Sequence, residues 1–79
     1  MTDTDRRIAI GRSVRRRREA MGASQDAVAQ AMRERGFGTW RQTTLAKVEA
    51  SARALKLDEA IALAEIYETT IDALVKEAP

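Results

Sequence analysis

A chain of 79 residues closes one small core, so positions 1–79 read as a single domain with no separate catalytic or sensory unit; 44% hydrophobic residues, 33% charged ones and one proline describe a folded helical protein. It has no cysteine and no histidine, which removes disulfides, zinc-finger ligation, thiol nucleophiles and the usual general base, so neither an enzyme nor a metal or cofactor site is expected. The longest apolar run, "AIALA" at 60–64, is far below the roughly 20 residues of a membrane span, and the charged start is unlike a signal peptide, so a soluble cytoplasmic protein is expected.

The net charge of +2 hides a division along the chain. Residues 1–56 carry thirteen of the fourteen Lys and Arg side chains against six acids, a surplus of seven, whereas residues 57–79 carry Lys76 alone against six, a deficit of five. The first part is suited to a polyanion and the tail is not.

No stretch alternates apolar and polar residues long enough for a strand, so every element reads as helical. Thr4 can cap a first helix, with Asp3 and Asp5 favourable at its positive end. Ile10 and Val14 start an apolar stripe toward Met21, and Gly22 ends the helix. Ser24 caps a second helix through Val28, Ala29 and Met32, which is expected to extend to Arg35 before "GFGTW" at 36–40 breaks it. Trp40 either plugs that loop into the core or lies against a partner's backbone.

Thr39 or Arg41 opens the third ordered stretch, "QTTLAKVEASAR" at 42–53, which has only Leu45 and Val48 to turn inward. A fourth helix runs from Leu57 or Asp58 to Tyr67, with Ile61, Ala64 and Tyr67 on one side and Leu63 and Ile66 flanking it. Thr70 caps a last one through Ile71, Leu74 and Val75, with Asp72 in its first turn. Five short helices predict a compact all-α domain.

With these pieces in order, the chain resembles the helix-turn-helix domain of the phage repressor, Cro and xenobiotic-response-element regulator family. "IGRSVRRRREAMGASQ" (10–25) is similar to the family's first helix and the Ser-Gln start of its second, "QTTLAKVEASAR" to its recognition helix and following basic residue, and "IALAEIYETTIDALV" (61–75) to its last two helices. The resemblance implies a five-helix lambda-repressor-like fold with the helix-turn-helix at about 24–50, and a transcriptional regulator occupying an operator in double-stranded DNA through a recognition helix at about 41–50. By family register, Arg18 and Glu49 form a structural ion pair. The same register sets the start of the second helix, Ser24 and Gln25, on a phosphate. Ser51 and Glu68 stand where the family commonly has glycine.

A recognition helix must hold itself by one narrow stripe and leave its other faces to base edges. Leu45 and Val48 form that stripe, leaving Gln42, Thr43, Ala46 and Lys47 toward the bases; Ala46 keeps the helix slim. Arg41 and Arg53, with Ser24 and Gln25, are the expected phosphate contacts. Arg15 to Arg18 spread around their helix at about 100° per residue and cannot share one phosphate strand; Arg12, Arg15 and Arg16 are either solvated or at phosphates, and Arg17 must snorkel outward or find an acid. One short helix reads few base pairs, so a homodimer is expected, with its contact around Leu74 and Val75 unless those two side chains close the core. The rival is a protein-interaction module on the same fold, an antitoxin or anti-repressor with a protein partner such as a toxin, whose contact surface would be the acidic end from Asp58. RNA binding is disfavoured by the few aromatics, Phe37, Trp40 and Tyr67.

Overall fold

The computed structural model describes residues 2–76. Five helices follow one another: α1 (Asp3–Met21), α2 (Gln25–Glu34), α3 (Gln42–Glu49), α4 (Leu57–Ile66) and α5 (Ile71–Val75), with no strand among the described residues.

Local chemistry sets most of the boundaries. Thr2, and not Thr4, caps α1: its hydroxyl accepts from the Asp5 N–H at 3.1 Å and its own N–H donates to the Asp5 carboxylate at 3.2 Å. Such a reciprocal box needs an acid three residues after the cap, which Thr2 has in Asp5 and Thr4 lacks, with Arg7 there. Ser24 and Thr70 cap α2 and α5 as expected, accepting from Ala27 at 3.0 Å and Ala73 at 3.1 Å.

At the other ends, α1 to α4 close with the same paired bonds: Ala23 N–H to Arg18 O, Phe37 to Met32, Ala52 to Lys47 and Thr69 to Ala64, each beside a shorter-range bond from the preceding residue. That motif needs a left-handed residue at its turn. Gly22 and Gly36 supply it at φ 73° and 97°, but Ser51 and Glu68 supply it at φ 64° and 54° without being glycine.

The core lies where α2 packs on α3 and α4, while α1 spans α3 and α5. Val14, Val28, Met32, Trp40, Leu45, Val48, Leu63 and Leu74 are almost wholly buried. Three expectations change. Met21 is exposed, at the end of a stripe that stops at Val14. Ile61 is 47% exposed, because α4 turns Ala60, Leu63, Ala64 and Tyr67 inward together with Glu59; Ile61 lies about 200° around the axis from Glu59. Leu74 has no exposure at all, so it closes the core and cannot carry a dimer contact.

One glycine fixes how α1 meets α3. A Cβ on Gly11 would stand 2.7 Å from the Val48 carbonyl oxygen and 3.0 Å from that of Glu49. Backbone cannot yield as a side-chain tip can, so the helices must move apart. Gly11→Ala is expected to destabilise by about 1–3 kcal/mol despite the gain in helix propensity, whereas an alanine in an open helical position would stabilise. Denaturant titration of the two proteins checks the sign.

Candidate nucleic-acid interface

α3 is held by a stripe and a polar chain. Leu45 and Val48 are buried, Ala46 is half-buried, and Gln42, Thr43 and Lys47 are exposed. Its start is pinned by the Thr44 hydroxyl, which accepts from the Arg41 N–H at 3.0 Å. The Arg41 guanidinium folds back onto the carbonyls of Gly38 and Trp40, at 3.0 and 2.8 Å, with the side chain exposed.

The polar chain begins at Arg18. It donates to Glu49 twice, Nε to Oε2 at 2.7 Å and Nη2 to Oε1 at 3.0 Å, and once to the Ala23 carbonyl at 3.0 Å. These side chains are 14% and 4% exposed, and the hydrogen bonds from Arg18 to Glu49 hold the guanidinium above its ordinary pKa despite its burial. Tyr67 shares this region. Burial first, and the Glu49 charge second, push its hydroxyl up from the usual tyrosine range.

Glu49 also accepts from Gln25 Nε2 at 3.0 Å, and Gln25 Oε1 accepts from Gln42 Nε2 at 2.6 Å. A carboxylate only accepts, so it fixes which end of the Gln25 amide faces it. That turns the Gln25 carbonyl toward Gln42, and Gln42 must answer with an N–H. What Gln42 keeps for the exterior is its second N–H and its carbonyl, a donor beside an acceptor. The chain from α1 through α3 and α2 thus sets the polarity of one exposed amide at the start of α3.

Beside it, Arg15, Ser24, Gln25 and Ala46 line an open groove between α1, α2 and α3. Ser24 caps α2 there. Arg15 is exposed and 3.4 Å from Glu19. Arg17 is half-buried in a separate cleft that Ala73 and Lys76 of the α5 end also line.

A family model described as a helix-turn-helix domain matches residues 9–78. The chain belongs to the helix-turn-helix domain family. No curated protein and no solved structure matches it. The match makes this a DNA-binding domain. Among the described residues, no helix of this helix-turn-helix domain is long and apolar enough to cross a membrane, and no group of acids could hold a metal ion.

A second polar cluster was not foreseen. Trp40, 1% exposed, plugs the α2–α3 loop into the core, and its indole N–H donates to Glu59 Oε2 at 2.9 Å. Arg53 donates to both oxygens of the same carboxylate, Nη1 to Oε1 at 3.0 Å and Nη2 to Oε2 at 2.8 Å, and its guanidinium lies 5.3 Å from the Trp40 ring centroid. The Lys56 N–H completes the set at 2.9 Å. Glu59 is therefore one of the most buried polar residues of this helix-turn-helix domain, although it belongs to the acidic tail. Burial alone would raise its pKa, but Arg53, the Lys56 N–H and the Trp40 N–H together lower it from 4.5 to about 2. Two signals pointed to it: a buried indole needs an acceptor for its N–H, and an acid three residues inside a helix start is a capping position.

Proposed function

We propose that this chain is a sequence-specific transcriptional regulator of the repressor and Cro kind, occupying an operator as a homodimer and reading it with α3. The observation that carries the reading is the Arg18–Glu49–Gln25–Gln42 chain, which ends on an exposed amide of fixed polarity. A donor beside an acceptor matches adenine, whose N7 accepts and whose N6 donates in the major groove. Thr43 offers a methyl or hydroxyl to the next base edge, and Lys47 reaches a neighbouring guanine or the flanking phosphate. Ala46 lets the groove wall approach. The start of α2, with Ser24 and Gln25, and Arg41 before α3 meet phosphates, where free helix-start N–H groups favour an anion.

The second copy is assigned to α4. Leu57 and Ile61, 72% and 47% exposed, lie one turn apart on its outer face. Antiparallel pairing across a two-fold axis sets each Leu57 against the other copy's Ile61 and brings each Glu65 toward the other copy's Lys56 end. The interface is thereby self-complementary in charge as well as in shape.

Selection of bound duplexes from a random pool tests the reading, and a palindromic consensus is the expected result. Affinity for that duplex should fall with salt at a slope in log K against log[salt] of about −0.9 per phosphate neutralised. A flat titration would remove DNA binding, and one copy per site in sedimentation would remove the dimer. On the selected duplex Gln42→Ala should cost about 1–3 kcal/mol, with little change on a scrambled one. Equal losses on both would show that Gln42 does not read bases.

A further inference from the structure

We propose that Glu59 is a positioning residue for DNA binding, one that holds the chain on both sides of α3 to the start of α4 and keeps Arg53 off the phosphate backbone. The inference rests on the DNA-binding reading above. Trp40 immediately precedes Arg41, whose backbone opens α3, and Arg53 lies four residues after Glu49, which ends it. Both side chains converge on one carboxylate from opposite ends of the recognition helix.

The carboxylate is saturated. Oε1 takes Arg53 and the Lys56 N–H, and Oε2 takes Arg53 and Trp40, filling the four acceptor sites a carboxylate has. It is 5% exposed, whereas the Arg53 side chain it holds is 30% exposed. Arg53 is thus at the surface yet has both terminal nitrogens committed, one of them also donating to the Ala54 carbonyl at 3.2 Å. The loop before α3 is tied down further by Arg33, which donates to the Trp40 carbonyl at 2.9 Å. Leu45 and Val48 hold α3 to the core along one stripe and the Glu49–Gln25–Gln42 bonds tie its side chains to α2, but neither fixes the backbone that enters and leaves the helix. Fixing both flanking segments to one point supplies that anchor. The clamp therefore acts on the angle at which Gln42, Thr43 and Lys47 meet the groove, without touching DNA itself.

The test compares wild type, Glu59→Gln and Trp40→Phe, all verified as folded by circular dichroism, on the selected duplex and a scrambled one across a salt series. Glu59→Gln keeps the size of the side chain but removes the charge that holds Arg53. It is expected to lose at least tenfold in the ratio of selected to scrambled affinity, and its salt slope on the scrambled duplex should steepen by about 0.9, the increment of one further phosphate contact. Trp40→Phe removes the indole donor and shortens the buried ring but leaves the Glu59 charge on Arg53, so part of the ratio should be lost with the slope unchanged. A residue that merely stabilises the fold would move neither quantity. Hydrogen exchange of the free proteins gives a readout independent of DNA: protection of the α3 amides should fall at least tenfold more than that of α2 in Glu59→Gln. Equal changes in the two helices, or an unchanged ratio and slope, would overturn the proposal. Failure of wild type to bind any duplex, with the exchange difference present, would strike the DNA-binding reading and leave the clamp standing; should Glu59→Gln not fold, the Trp40→Phe ratio and exchange decide it by the same criteria.

Discussion

Arg18→Ala is expected to lower stability by about 3–5 kcal/mol, the loss seen when one partner of a buried ion pair is removed. The size follows from what remains: Glu49, 4% exposed, would be left with only the Gln25 amide for a partner, and the Ala23 carbonyl would lose its donor. In a domain this small each 1 kcal/mol moves the melting temperature by roughly 4–8 °C, so the variant should melt far below the wild type. Arg15→Ala is the control, since Arg15 is 63% exposed and its bond to Glu19 is a surface pair of little worth. Thermal melts with equal losses for both would contradict the role given to Glu49. Replacing Arg18 and Glu49 together by apolar residues of similar volume should recover much of the loss, because the penalty lies in the orphaned charge and not in the absence of the pair.

The same pair shows what sequence can carry. Arg18 and Glu49 are 31 residues apart, and nothing local links them; only the family register brought them together. Helix starts at Ser24 and Thr70 were legible because a cap is a local bond over three residues. The start of α1 lies two residues before the expected Thr4 because Thr2 and Thr4 are both capping residues, and the deciding partner, Asp5, lies three residues after Thr2.

Ser51 and Glu68 depart from the glycine pattern, yet both take the left-handed conformation that pattern marks, because the paired carbonyl bonds at the ends of α3 and α4 require the conformation and not the residue. Gly11, inside a helix with nothing local to mark it, matters for close approach and not for φ.

The acidic end from Asp58, the partner surface of the rival reading, is not uniform: Asp58 and Glu65 of α4 face water while Glu59, between them, faces inward. Its partners stand 19 and 6 residues away in sequence, so periodicity within α4 could not reveal them. Leu57 and Ile61 lie on the opposite side of α4, because its buried face joins Glu59 with Ala60, Leu63, Ala64 and Tyr67.

That buried carboxylate makes acid the second large lever on this fold. Glu59 is held at a pKa of about 2 when folded, against 4.5 for the free group, so the unfolded chain takes up its proton first as pH falls. Its contribution is complete above about pH 4.5 and drains away between there and pH 2. At 1.36 kcal/mol per unit this corresponds to a loss on the order of 3 kcal/mol across that window, a large share of what a domain of this size has in reserve. Protonation would also leave the Arg53 guanidinium without its counter-charge beside Trp40, and one of four donors without an acceptor, so the loop before α3 and the segment after it should loosen together. Urea titrations at intervals from pH 7 to pH 2.5 measure this directly. Wild type should weaken steeply below pH 4.5, whereas Glu59→Gln, less stable at pH 7 because Arg53 is already unpaired, should show a shallower dependence over the same range. Parallel curves for the two proteins would mean that other carboxylates govern acid unfolding and that the Glu59 cluster contributes little of its charge to holding α3 in place.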